Sequence, residues 1–245
     1  IIQVLVENGI NIDHLNIYNR TAIQDAVICA NNRIVNYLIQ VTQALNNSDI
    51  HGHNLIFDAV ANGNMDIIRK VGSLEELNIN QVNKDGNTIL HKEIVTQNNE
   101  LALLLMELGA NPTIMDRNGK NFLFYAISEG IKNIDIIEKA LSLGCNINSR
   151  SNKNKTLLME SITYFLETPK ENTEMRNDYL EMIIELIRLG ISIDATDDNN
   201  ENALFLVTRS ENRELIDTLF EDNHKIDLNH QNNQGETVLS ILALN

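Results

Sequence analysis

One feature constrains this chain more than any other: a single pattern recurs along its whole length. The segments "NIYNRTAIQDAV", "DIHGHNLIFDAV", "NKDGNTILHKEI", "DRNGKNFLFYAI", "SNKNKTLLMESI", "DNNENALFLVT" and "NNQGETVLSIL" align on Thr21, Asn54, Thr88, Asn121, Thr156, Asn202 and Thr237. Their spacings are 33, 34, 33, 35, 46 and 35 residues. Each aligned residue is Thr or Asn, whose side-chain oxygen can accept from the unpaired N–H groups of a helix's first turn. A second signal runs in phase with the first. Apolar stripes at helical spacing stop at Gly9, Gly109, Gly144 and Gly190, where glycine can take the left-handed conformation that ends a helix. Asn- and Asp-bearing turns follow. Each repeat therefore reads as turn, short helix, longer helix and glycine stop. One such repeat cannot bury its apolar face alone, whereas stacked repeats share a continuous core.

The residues resemble the ankyrin-repeat family, whose signature is a turn glycine followed by T-P-L-H-x-A. "DGNTILHKE" matches it best, through Gly86, Thr88, Leu90 and His91. The departures are systematic. The signature proline is replaced by Ala22, Leu55, Ile89, Phe122, Leu157, Ala203 and Val238, the histidine survives only as His91, and the small alanine becomes Glu93 and Ser161 in two repeats. The resemblance implies an all-α solenoid of stacked helix-turn-helix units with β-turn or hairpin fingers. It implies a single domain over 1–245: a half-repeat at 1–15, repeats at about 16–48, 49–82, 83–115, 116–150, 151–196 and 197–231, and a truncated repeat at 232–245. It gives His91 a local hydrogen-bonding role that holds adjacent turns. Glu93 is expected to swing to the edge of the stack or to pair with Lys92 or a neighbouring cation.

Composition agrees with helices. The chain is 43% hydrophobic but 4% aromatic and lacks Trp, which suits close-packed Leu, Ile, Val and Ala. A formal charge of −15 argues against a nucleic-acid or anionic-membrane partner. Cys29 and Cys145 make no disulfide framework and fit a reducing compartment. No run approaches the ~18 apolar residues of a membrane span, and Ile1–Gly9 has no signal-peptide features. The expected location is cytoplasmic, with the nucleus, or a host cytosol for a secreted effector, as alternatives. The sequence lacks a starting Met and opens in mid-helix, so a monomeric fragment of a longer protein is expected.

Little points to catalysis. His51-x-His53 is the one tight histidine pair, flanked by Asp49 and Asp58; zinc wants three or four ligands, so the pair reads as a solvated turn tip. Cys145 occupies the slot that Ala110 fills in "LGANP" and reads as a small buried residue. No phosphate-binding glycine loop or nucleophile elbow is present. No catalytic residue, cofactor or metal is expected, and the chain is read as no enzyme.

The resemblance implies instead a protein-binding surface made of the finger tips and the exposed side of the first helices. Carried over by position, the partner-binding residues are Tyr18 and Arg20; Ile50, His51 and His53; Lys84 and Asp85; Arg117 and Lys120; Lys153, Lys155 and Tyr164. Ile17, Ile28 and, in the third repeat, Thr96 belong to the same set. Charge varies along it: the first fingers are apolar, the central ones basic (Lys84, Arg117, Lys120, Arg150, Lys153, Lys155), and the last acidic. The expected function is a protein–protein interaction scaffold for a partner with an acidic segment. The alternative is a substrate-recruiting ankyrin segment of a larger enzyme, such as a bacterial effector, with its catalytic domain outside this chain.

Two irregularities break the period. "LETPKENTEMRND", 166–178, lengthens the fifth repeat; it reads as a solvated loop or as a partner-contacting excursion. "VGSLEELNIN", 71–80, rewrites the usual helix ending and reads as a short extra turn.

Overall fold

The computed structural model describes residues 1–94, 98–210, 212–220 and 226–243, except the side chains of Glu93 and Ile94. Thr96 and the Glu93 side chain thus lie outside the described residues. The chain gathers into two compact bodies, Ile1–Asn111 and Pro112–Asn245. The first holds α1 (Ile2–Glu7), α2 (Ala22–Ile28), α3 (Asn32–Leu38), α4 (Leu55–Asn62), α5 (Met65–Gly72), α6 (Ile89–Ile94) and α7 (Asn99–Glu107). The second holds α8 (Phe122–Ala126), a kinked 3₁₀ segment (Ile127–Asn133) and α9 (Ile134–Ser142). It continues with α10 (Leu157–Glu167), α11 (Thr173–Arg188), α12 (Ala203–Ser210), α13 (Arg213–Phe220) and α14 (Val238–Leu242). Among the described residues no β-strand forms; one antiparallel bridge joins Arg150 and Thr156.

Every aligned Thr or Asn immediately precedes a helix: α2, α4, α6, α8, α10, α12 and α14. The capping chemistry is more varied than the sequence suggests. Asn121, Thr156 and Thr237 accept from Leu123, Met159 and Ser240 N–H groups. Thr21 opens α2 with a capping box, in which Gln24 Oε1 accepts from the Thr21 N–H. Asn54 instead donates Nδ2 to Asn78 O at 2.8 Å, and Asn202 donates to Asp194, so these two amides tie their helix starts to neighbouring loops. The glycine stops hold, with Gly9, Gly109, Gly144 and Gly190 at φ between 83° and 98°. The short-then-long alternation holds for α8 and α9 and for α10 and α11. It fails for α2 and α3, seven residues each, and for α4 and α5, eight each.

In the first body Ile23, Val27, Leu55, Ile56, Ile68 and Leu105 are sealed from solvent; in the second Phe122, Phe124, Ile137, Leu158, Ile183 and Phe205 are. Each such side chain contributes about 1.5–3 kcal/mol relative to exposure. The rewritten ending at 71–80 starts within the last two residues of α5, and its Leu77 and Ile79 are buried, so it is a packed connection. Cys145 is buried, which pushes its thiol up to about 12; Cys29 is exposed.

The fifth-repeat insertion is mostly helix. It lengthens α10 to 11 residues and α11 to 16, leaving only 168–172 between them. Asn172 starts α11 by accepting from the Met175 N–H at 3.2 Å. Arg176 lies 4.0 Å over the Phe165 ring and donates to the Phe165 and Thr168 carbonyls, both at 3.1 Å. The insertion then docks on the 3₁₀ segment. Tyr179 Oη donates to Ser128 O at 2.6 Å, and Lys132 pairs with Asp178 at 2.8 Å. Gly130 allows this approach at φ 66°, because a Cβ there would lie 2.8 Å from Asp178 Cβ and 2.9 Å from its carbonyl carbon.

Candidate functional site

Seven five-residue fingers precede the capped helices: 16–20, 49–53 and 83–87 in the first body, and 116–120, 151–155, 197–201 and 232–236 in the second. All seven close the same way. The first residue's N–H donates to the fifth carbonyl, at 2.9–3.1 Å, and the fourth residue's N–H donates to the first carbonyl. The fourth residue is left-handed in each, at φ 53° to 86°, and is always Gly or Asn. These two types tolerate that region best.

In six fingers the first side chain completes the turn. Asn16, Asp49, Asn83, Asp116, Asp197 and Asn232 each use Oδ1 to accept the N–H groups of the third and fifth residues, at 2.8–3.1 Å. This is the Asx-turn chemistry of short polar side chains. The fifth finger begins with Ser151, one bond shorter. Its backbone closes normally, but among the described residues the N–H groups of Lys153 and Lys155 find no acceptor. The sequence signal was available: an Asn or Asp stands five residues before every helix-opening Thr or Asn except Thr156.

Neighbouring fingers also contact each other through side chains. At three steps the last residue of one meets the first residue of the next: Arg20 pairs with Asp49 at 3.0 Å, His53 Nε2 lies 3.4 Å from Asn83 Nδ2, and Glu201 accepts from Asn232 at 3.0 Å. The Lys120–Ser151 step has no such contact, since serine offers neither an amide nor a carboxylate. Lys120 turns instead to Glu160 on α10, at 3.2 Å, with its ammonium 5.8 Å from the Phe124 ring centroid. A cleft of about 370 Å³ opens there, lined by Lys120, Lys153, Lys155, Tyr125, Asn152 and Glu160, among others. The backbones below it are fixed, since Asn152 N donates to Asn118 O and its Nδ2 to Arg117 O, both at 2.8 Å. Tyr125 Oη donates to Asp116 at 2.5 Å; burial first, then Asp116, raises its pKa and keeps the phenol neutral. The ammonium groups of Lys153 and Lys155 pair with no carboxylate among the described residues.

The structure thus brings Lys120, Lys153 and Lys155 together, with Arg117 exposed on the adjoining finger. Tyr164 is elsewhere, half-buried and stacked on Tyr179 at 5.7 Å. In the first body Tyr18 and Ile50 are exposed and joined by Ile50 N to Tyr18 O at 3.1 Å; Ile17 is 87% exposed. His51, Lys84 and Asp85 are also exposed, and Lys84 N donates to His51 O at 3.0 Å.

Arg20 and His53 differ from the solvated tips the sequence suggests. Arg20 is partly buried against Asp49. Burial alone would raise Asp49, but the His53 and His51 amides and Arg20 outweigh it and hold the carboxyl below its usual range. His53 stacks on Phe57 at 4.8 Å, and burial lowers its pKa. Beneath them Asp58 is buried, accepts from Gln24 at 3.0 Å and is pushed up to about 6 by desolvation. Among the described residues no three His, Cys, Asp or Glu side chains stand together as a metal set, and no helix is long and apolar enough to cross a membrane.

Comparisons with known proteins agree with this architecture. The family model for ankyrin repeats, in three copies, matches residues 56–151. An ankyrin repeat domain-containing protein of Monkeypox virus, OPG023, is 28% identical over 121 residues, which cover 42% of this chain and 18% of that protein's length. The crystal structure of the ankyrin repeat domain of Bcl-3, a unique member of the IkappaB protein family, aligns with a TM-score of 0.69 at 19% identity. That alignment covers 89% of this chain and 90% of the other, and it shows a shared fold.

Proposed function

We propose that this ankyrin-repeat chain holds a partner protein on its fingers, with an acidic stretch of the partner lying against the fourth and fifth. Ankyrin repeats are generally protein–protein interaction modules, and the finer reading rests on one observation. A strongly acidic chain gathers Lys120, Lys153 and Lys155 around one cleft and leaves two of the three without a carboxylate partner. Such rim charges steer association with an oppositely charged partner more than they tighten the complex. The exposed Ile17, Tyr18 and Ile50 of the first body offer apolar contacts of the kind found at recognition surfaces.

The test is capture from cell lysate by the parent chain beside a variant carrying Arg117→Glu, Lys120→Glu, Lys153→Glu and Lys155→Glu. A protein retained by the parent and lost by the variant supports the reading. Equal retention by both removes the basic fingers from the site.

A further inference from the structure

We infer that the fifth finger is an unfinished turn that a carboxylate side chain of the partner completes in trans. This rests on the reading of the basic fingers as the partner site and names the atoms that would be recognised. In each of the other six fingers, one Asn or Asp oxygen accepts the third and fifth N–H groups together. The fifth finger has the same closing bonds and the same left-handed fourth residue, Asn154 at φ 53°. Its Lys153 and Lys155 amides therefore aim at the place where that oxygen sits elsewhere. Ser151 does not reach it, and no other described residue fills it.

A pair of converging backbone N–H groups is an anion-binding device, and this pair belongs to the two lysines whose ammonium groups also lack carboxylate partners. The cleft of about 370 Å³ gives access to a side chain from outside. The occupant's chemistry follows from its stand-ins: three of the six fingers use the amide of Asn and three the carboxylate of Asp. Three lysines against one Glu160 favour the charged member of that pair. Hydrogen bonds from amides to a carboxylate are shorter and stronger than neutral ones. Glu160, already on Lys120, leaves that lysine the least available of the three.

The experiment titrates the isotope-labelled chain with a hexa-aspartate peptide and follows the amide resonances of Lys153 and Lys155. A hexa-asparagine peptide and inorganic phosphate serve as the comparison probes. Saturable shifts at these two amides are expected with hexa-aspartate and not with hexa-asparagine. Ser151→Asn supplies the missing oxygen in cis without adding charge. It should weaken hexa-aspartate about tenfold, the loss of roughly one charge-assisted hydrogen bond, while raising the melting temperature. A variant that melts higher yet binds hexa-aspartate unchanged overturns the inference but leaves the basic-finger reading standing, since the peptide would still be held by the lysines. A variant that melts no higher shows that the amides were never open and overturns it too. Tighter binding of phosphate than of hexa-aspartate would overturn the carboxylate assignment.

Discussion

The first two repeats and the fourth and fifth solve the same packing problem at different places. Between repeats one and two the fingers carry the joint: Arg20 spans to Asp49, Gln24 reaches Asp58, and Asn47 Nδ2 lies within hydrogen-bond distance of both Asn19 O and Gln24 Oε1. Between repeats four and five the inserted helices carry much of it, through Tyr179 on Ser128 and Lys132 on Asp178. The finger there has lost its Asx side chain and its cross-finger ion pair. A repeat whose stacking is secured elsewhere can leave charges and amides at its tip unused by the fold, and those are the groups available for recognition. Net charge gives no hint of this, because a chain at −15 still gathers three lysines around one cleft.

This contrast can be broken by substitution. The largest effect is expected at Gly130, where Ala would meet the Asp178 backbone and also strain a left-handed residue. Gly130→Ala should cost about 3 kcal/mol, read from a denaturant midpoint. A cost below about 1 kcal/mol would mean that the insertion is not docked.

Next come the two equivalent finger cations. Arg20→Ala removes the ion-pair partner of Asp49 Oδ2, on a side chain that is fully buried, and should cost about 2 kcal/mol. Lys120→Ala removes a partly exposed pair and should cost less than about 1 kcal/mol. Equal costs would mean that the two cations support the fold alike.

Asp58→Asn sharpens the first half of the comparison through its pH dependence. The Asp58 pKa is raised on folding from 3.8 to about 6, so the folded state holds the proton more tightly. The carboxyl therefore costs nothing below pH 3.8, costs more as pH rises, and reaches its full cost above pH 6. The amide should stabilise the protein by up to about 3 kcal/mol at pH 7 and confer no advantage near pH 4. An advantage that persists unchanged at pH 4 would show that desolvation of the carboxylate is not the cause.

The smallest expected effect lies in the insertion. Tyr179→Phe should cost about 1 kcal/mol by removing the hydrogen bond to Ser128 O. A neutral outcome in thermal melting would place the docking energy in packing alone.

The architecture was legible because it depends on residues that act locally. Thr and Asn before helices, and Gly after them, recur at a fixed period, and each does its work within a few residues. The insertion was harder to read. Its helical part, Thr173–Asp178, carries Met175 as its one apolar side chain; an Asn172 cap and an arginine laid flat on Phe165 hold it in place, so composition alone suggests a loop. Arg20 and His53 were legible as finger residues, but their burial depends on Asp49 and Phe57, partners 29 and four residues away that no local pattern announces. Ser151 was legible in principle. Its significance is a missing side-chain atom, and it shows only when the finger is aligned with the six that possess one.

The central claim is that the fourth and fifth fingers meet the partner through charge, and the most direct measurement is the association rate with the captured protein across a salt series. The account predicts a rate for the parent that falls steeply as salt rises, and a slower, nearly salt-independent rate for the chain carrying Glu at positions 117, 120, 153 and 155. Identical rates with identical salt dependence in the two chains would contradict it.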